Sequence, residues 1–559
     1  MSGQYFKTIF SILCLCASSC MQIEGQRPSR VAIQTFEGDD AEEIQLLNGM
    51  THKLYGAVYV NTAKGERVMG DASDSELLTD VEYEILNETS LSPISINKDG
   101  CVEAKALGTA FVKLKGFSLS KGMLTAMSQV TVQSAQSLQA RVLKSNVLDW
   151  SVSKLQGKDS VYGLTLGNQF FTLEIDAQNS AALQPSGENI LENQAPLNNI
   201  SVGSDLLGQG FYAGYSTQDE GQDYVGYSVF NKLGERLGSF DSLKDTKIIM
   251  KKTYIFQTAD AIPMALAVGQ NTKKDDKGNR VLDSTLSFFL YKNNLGRCTN
   301  ASDCIQEGFV SDSKTSEIIE IDAASDLDSV IDVVSDAFGT AYIVLGTRVE
   351  YPDKDDADKR ENPNRMKVIS INHAQGVQTW DLNLEKLASS KAFSVDASYD
   401  LAKIVYINDK NELKFVGHLQ PQVVDISKKI AANVDGSLKP VLHASQEDGS
   451  LTVVWRDKSA DMKVSMSQDG GKTWHAAQDI ISETVSKMNV FSLPCGGAMF
   501  FMTDTNSTLK GFLLQKDKVQ AMGPQLAIGV NDFKVFRDHG RVRLFYLNNG
   551  KQVGMISIP

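Results

Sequence analysis

The sequence predicts an all-β chain, a small β-sandwich followed by a seven- or eight-bladed β-propeller. Short apolar alternations separated by turn signals occupy residues 31–135. From residue 137 to 559 a strand-rich unit recurs about every 43 to 60 residues, with one longer interval. Helical periodicity is nearly absent from both stretches. At 559 residues the chain is also longer than one hydrophobic core usually organises, so at least two domains are expected.

In the first stretch, Val58–Val60, Val81–Ile85, Phe111–Leu114 and Gln129–Val132 alternate as half-buried strands do. Asn97-Lys98-Asp99-Gly100 is a turn signal between Ile94–Ile96 and Cys101–Glu103. In the second stretch, apolar strands begin at Val161, Phe211, Ala261, Ala341, Leu401, Leu451, Ala498 and Arg541. Each is followed by a further strand, as QFFTLEI at 169 or MKVSMS at 462. A blade of three or four antiparallel strands has two apolar faces that it cannot bury alone, and radial packing buries them against neighbouring blades. The count is eight units, or seven if the poorly patterned unit at 211 is not one; two separate sandwiches are the alternative. The last unit stops at its third strand, so Leu138–Leu143 is expected to supply the missing outer strand and close the ring.

The formal charge of −13 argues against nucleic acid as a partner, because phosphate binding needs clustered Lys and Arg. Of seven cysteines, Cys14, Cys16 and Cys20 lie at the N-terminus, leaving Cys101, Cys298, Cys304 and Cys495. Residues 1–19 read as a signal peptide: Lys7 precedes the apolar run Ile9–Leu15, and Ala17-Ser18-Ser19 are small. That run is short of the roughly 20 residues of a membrane-spanning helix, and no later run reaches that length. Residues 20–30, with Gly25 and Pro28, read as a tether. Leu15-Cys16-Ala17-Ser18-Ser19-Cys20 resembles the bacterial lipobox, with Ala17 where Leu is usual. The resemblance implies cleavage before Cys20, lipid on its sulfur and attachment to a membrane. Met21, rather than Asp, after the cysteine implies the outer membrane, with the periplasmic or surface side left open. Ordinary signal cleavage after Ser19 is the alternative. Export favours a loop disulfide between Cys298 and Cys304 over a metal site, since no His or Cys pair accompanies them. Cys101 and Cys495, beside apolar strands, read as buried, unpaired packing residues.

Ile96-Asn-Lys-Asp99-Gly100-Cys-Val102, followed by Ala104-Lys-Ala-Leu-Gly108-Thr-Ala110, resembles the second half of bacterial immunoglobulin-like domains of group 2, with Tyr83 where Trp is common. The resemblance implies an Ig-like spacer or adhesive module. Ser467-Gln-Asp469-Gly470-Gly471-Lys-Thr473-Trp474 resembles the Asp-box (BNR repeat) of sialidase-like propellers. That resemblance implies a structural turn built by Ser467, Asp469, Gly471, Thr473 and Trp474, away from any catalytic centre. The early F/Y-R-I-P signature of sialidases is absent, and one Asp-box is present.

No catalytic residue emerges. His52, His373, His418, His443, His475 and His539 never fall into H-E-x-x-H spacing, and no G-x-S-x-G elbow occurs. Asp353–Asp358 lacks the spacing of a calcium loop and reads as solvated. No metal or cofactor is expected. Residues 269–284 and 347–365 read as long charged insertions between second and third strands, and so on one face of the disc. The Asp-box and the Cys298–Cys304 loop fall on the other. The reading is a non-enzymatic cell-envelope lipoprotein that binds a protein or glycan through a propeller face. A sialidase-like glycoside hydrolase and a surface adhesin are the alternatives.

Overall fold

The computed structural model describes residues 28–559, apart from 35–39, 63–64, 72–77, 87–91, 119–120, 154–159, 167–168, 176–190, 193–196, 205–209, 220–221, 232–235, 243–247, 258–262, 293–318, 321–330, 337–339, 349–363, 373–375, 383, 398–400, 420–426, 446, 516 and 539–540. Cys20, Cys298, Cys304 and Asp353–Asp358 therefore lie outside the described residues. Those described are mostly strand, and no helix among them is long and apolar enough to cross a membrane.

Among the described residues, the N-terminal part has ten strands: β1 (Pro28–Gln34), β2 (Glu43–Leu47), β3 (Thr51–Lys53), β4 (Tyr55–Thr62), β5 (Gly65–Asp71), β6 (Thr79–Leu86), β7 (Ile94–Ile96), β8 (Cys101–Ala104), β9 (Gly108–Ser118) and β10 (Gly122–Gln133). They form three sheets, ordered β1-β4-β5, β2-β10-β9-β6 and β3-β8-β7. Alternation dictates the layers. Val112, Leu114, Val130 and Val132 point inward with Ile33, Leu46 and Val58, whereas Phe111, Phe117, Met123 and Met127 point out.

From Asp149 on, consecutive stretches of chain build four-stranded antiparallel sheets, eight among the described residues. Their first strands are Asp149–Ser153, Asn198–Ser204, Ile248–Gln257, Ile331–Ser335, Phe393–Asp396, Val441–Ala444, Val485–Leu493 and Val530–Asp538. From sheet 1 to sheet 7, each first strand packs against the first strand of the next sheet. The eighth sheet takes its outer strand from β11 (Arg141–Lys144), which pairs antiparallel with Val553–Ile558. Trp150 of sheet 1 packs with Phe545, Val553 and Met555 of sheet 8, and the Lys534 ammonium sits 5.3 Å from the Trp150 ring centroid. The circuit is therefore closed, and the fold is a β-propeller.

A turn recurs between second and third strands. Asp275, Asn408, Asp457, Asp504 and Asn548 each accept the N–H of the residue four positions on, at 2.7–3.0 Å. The residue three positions on is left-handed in every copy: Gly278, Asn411, Ala460, Ser507 and Lys551. In three copies that left-handed residue's carbonyl accepts an N–H from the link to the next sheet. Asn411 receives Val434, Ser507 receives Val530, and Lys551 receives Val147, at 2.8–3.0 Å. All three valines are buried. The link from β11 into sheet 1 thus docks as the internal links do. These bonds also place the links and the second-to-third turns on one face of the disc.

Residues 269–284 are not a loop. The strands Pro263–Lys274 and Arg280–Lys292 continue pairing outward through Thr272↔Leu282 and Lys274↔Arg280, around a turn capped by Asp275. Their charged side chains are those of a two-stranded ribbon standing out from sheet 3. For the second insertion, strands reach Arg348 and resume at Asn364; 349–363 lie outside the described residues.

Candidate binding faces and the domain junction

Around the axis, an inner strand has an edge with no neighbour in its own sheet, and its N–H groups must find partners elsewhere. Polar side chains on the preceding inner strand supply them. Asp149 Oδ2 accepts Ile200 N–H at 2.9 Å, and Ser151 Oγ accepts Val202 N–H at 3.1 Å. Asp332 Oδ2 takes Val395 N–H at 3.0 Å, and Asp396 Oδ2 takes Ala444 N–H at 2.5 Å. His443 Nδ1 takes Ser492 N–H at 3.0 Å. Acids in otherwise apolar strands thus serve as clasps between sheets. Burial pushes the Asp149 carboxyl up, opposed by these amide bonds and by Lys252 and Lys534. Burial likewise raises Asp332, against the 2.5 Å ion pair from Lys439.

His443 lies against Phe491 with ring centroids 4.7 Å apart, and burial holds its pKa below the ordinary histidine value, against the charge of Asp396. Its folded pKa is depressed, so the unfolded chain takes up the proton first. The clasp's stability is whole above pH ~6.5 and is lost as pH falls below that value. Between pH 7 and pH 5 the wild type is expected to lose stability relative to His443→Gln by up to about 1.4 kcal/mol per pH unit, read from urea midpoints of the two proteins; the raised carboxyls of Asp149 and Asp332 act in the opposite sense in both and cancel in that comparison. An unchanged profile in the variant would remove His443 from this role. His418, also lowered by burial, keeps a residual slope of the same sign.

The Ser467–Trp474 turn joins the third and fourth strands of sheet 6, on the face opposite the links. Ser467 Oγ donates to Asp469 Oδ1 and accepts Gly471 N–H, both at 2.8 Å. Asp469 also accepts Thr473 N–H at 2.8 Å and Thr473 Oγ1–H at 2.6 Å. These donors hold its carboxyl far below the usual carboxylate range. Trp474 meets Phe415 of sheet 5 edge-on, centroids 5.3 Å apart. All five residues singled out in the motif therefore act on one turn and on the seam beneath it.

On this same face the N-terminal sheets dock. Cys101 and Cys495, expected to be unpaired, form a disulfide with Cα atoms 5.9 Å apart. The correction has a tertiary cause: Cys495 lies in Pro494–Gly496, the first-to-second turn of sheet 7, and packing sets that turn on β3 and β8. Asp448 Oδ2 accepts the Cys495 N–H at 2.8 Å. Thr51 Oγ1 donates to Pro494 O at 2.9 Å, and any Cβ on Gly497 would lie 2.2 Å from Thr51 Oγ1. Gln515 donates to Gly49 O at 2.7 Å, and Tyr55 to Glu447 Oε2 at 3.0 Å. Beneath these bonds, Leu47 and Met50 share one buried cluster with Phe501, Leu513 and Met522. A cavity of about 500 Å³ remains at the seam, lined by Thr51, Asn97, Glu103, Gln468, Gln515 and Lys518 among others. Among the described residues, no cluster of three or more His, Cys, Asp or Glu could hold a metal ion.

The two faces of the disc therefore differ. One carries the Asp469 turn and, at sheets 6 and 7, the N-terminal sheets; the other carries the links, the capped turns and the ribbon of sheet 3. The junction residues were invisible to sequence reasoning, since nothing local marks Thr51, Gln515 or Glu447.

No family model matches the chain, and no characterised protein matches it in sequence. Solved structures similar to it include the Dos1 propeller, at 11% identity and TM-score 0.39, covering 76% of this chain and 96% of that one. The fucose-recognising six-bladed β-propeller lectin of Aleuria aurantia aligns at 11% identity and TM-score 0.29, over 57% and 92% of the respective chains. A protein of unknown function from Dyadobacter fermentans aligns at 11% identity and TM-score 0.30, over 75% and 96%. Likenesses this distant carry no argument about ligand or activity.

Proposed function

We propose that the chain is an exported, non-enzymatic binding protein, held to the outer membrane through lipid on Cys20, that captures a protein or glycan with the link-bearing face of its propeller. The observation carrying this is the inequality of the two faces. The N-terminal sheets occupy the Asp469 face at sheets 6 and 7, through a shared core, side-chain bonds and a disulfide. The opposite face is left to present the sheet 3 ribbon, where Lys273, Lys274, Asp276, Lys277 and Asn279 are exposed. Side chains raised on a rigid scaffold are where recognition concentrates. A disulfide between residues 394 apart supports an oxidising compartment and hence export. In this reading the Ig-like N-terminal module is a rigid spacer, and the Asp-box is part of the scaffold.

The test replaces residues 272–282 by a two-residue Asn-Gly turn joining Asn271 to Asp283. The trimmed chain is expected to melt within a degree or two of the wild type and to lose the ligand that the wild type retains on glycan arrays or in pull-downs from membranes solubilised in mild detergent. An identical bound set would sink the assignment of this face. Turnover of sialosides by the wild type would replace binding with hydrolysis.

A further inference from the structure

The N-terminal module has two poles. At one, Gln133 and Leu47 end β10 and β2 beside the propeller, where Asn48 O accepts from Gln520 and Gly49 O from Gln515. β10 runs twelve residues away from there, about 37 Å at the usual strand rise, to Gly122. β1 starts at that far pole: Pro28 pairs with Val60, while Gln34 pairs with Tyr55 on the propeller side. The chain before Pro28 thus enters at the end remote from the propeller.

That remote end carries an apolar pair. Met123 and Phe117 are cross-strand partners on the outer face of the β9–β10 hairpin, 57% and 38% exposed, and Met127 follows two steps along at 54%. β10 gains β2 as a partner only from Gln129, so its Gly122–Ser128 edge has no strand beside it in this sheet. A Cβ at Gly122 would meet nothing within 4 Å. Exposed Lys121 and Asp80 carry opposite charges, and Lys115, two residues from Phe117, pairs with Glu82 and Glu84, so the charges of the described residues at this end offset one another and the pair is its exposed apolar area.

We infer that this hairpin tip rests in the surface of a lipid bilayer, with Phe117 and Met123 inserted among the headgroups and the propeller held outward. The inference rests on the proposed lipidation of Cys20 for its geometry. Residues 20–27, fully extended, span at most about 28 Å, so a lipid on Cys20 brings the bilayer to the pole where the pair is exposed. A lipid anchor with a second, apolar contact orients a protein as well as holding it. A second copy of the chain, or a peptide adding to the β10 edge, would be driven by the same exposure, but neither accounts for the pair sitting at the pole where the tether enters.

The test uses residues 20–559 with Cys20→Ser, so that no lipid is attached, and vesicles of phosphatidylethanolamine and phosphatidylglycerol. The protein is expected to float with the vesicles, and raised salt to change this little. Adding Phe117→Ser and Met123→Ser should lower partitioning at least about tenfold, with an unchanged far-UV spectrum and melting temperature. Failure of the Cys20→Ser protein to float, or equal flotation of the triple variant, overturns the inference. So does concentration-dependent dimerisation that the two serines abolish while flotation stays the same. Palmitate labelling in cells, with and without Cys20→Ser, reads lipidation separately: loss of labelling alongside absent flotation leaves the anchor standing and removes only the tip contact.

Discussion

Replacing Cys101 by serine and Cys495 by asparagine lowers the unfolding free energy of the oxidised protein by about 3–6 kcal/mol. The bond closes a segment of 394 residues, and the chain-entropy cost that it spares on folding grows with the logarithm of that length. Asparagine is chosen at 495 because φ there is +66°, a left-handed conformation that Asn tolerates better than most residues. With the backbone preference preserved, the loss reads the covalent link. Denaturant titrations with and without dithiothreitol check it. Reduction should bring the wild type down to the double variant and leave the variant nearly unmoved. Repeating both in a Cys298→Ser/Cys304→Ser background removes any contribution from that pair. Equal midpoints for wild type and variant under oxidising conditions would show that the shared core and the Thr51, Tyr55 and Gln515 bonds hold the module without the bond.

That pairing was illegible in the sequence for a physical reason. Each cysteine adjoins an apolar strand, which is where a packing thiol also sits, and only the docking of a turn of sheet 7 against β3 and β8 brings them together. The strands themselves were legible, because alternation and spacing are local properties: VYGLTL at 161 and MKVSMS at 462 became strands as their patterns required. Charge misled at 269–284. Lys273, Lys274 and Lys277 suggested a loop, whereas Asp275 caps a tight turn and the flanking strands simply continue. The recurring second-to-third turn escaped notice because its left-handed position is filled by Gly, Asn, Ala, Ser and Lys in turn. Only the leading Asp or Asn is constant, and that residue is common in any turn. The axial clasps did leave a signal. Asp149, Asp332 and Asp396 are lone acids in short apolar strands, a placement whose desolvation needs compensation and so implies an N–H partner.

Gly471→Ala is expected to destabilise the propeller by about 2–5 kcal/mol, from two costs that can be separated. At φ +90° an alanine is strained by about 1–2 kcal/mol. Its Cβ would also lie 2.1 Å from Phe415 Cε1, and Phe415 cannot swing away freely, being fixed in the buried cluster of sheets 5 and 6 and met edge-on by Trp474. Gly470→Ala is the control. Its φ of +69° carries the same kind of strain, yet a Cβ there would meet nothing within 4 Å. The difference between the two variants, measured as urea midpoints at neutral pH, therefore reports the seam alone. Combining Gly471→Ala with Phe415→Leu should recover part of the loss, since the smaller side chain vacates the space the methyl needs. Equal losses at 470 and 471 would mean that the turn is set by its hydrogen bonds around Asp469 and bears no load from the neighbouring sheet. The edge-on contact of Trp474 with Phe415 would then add nothing to the seam between sheets 5 and 6.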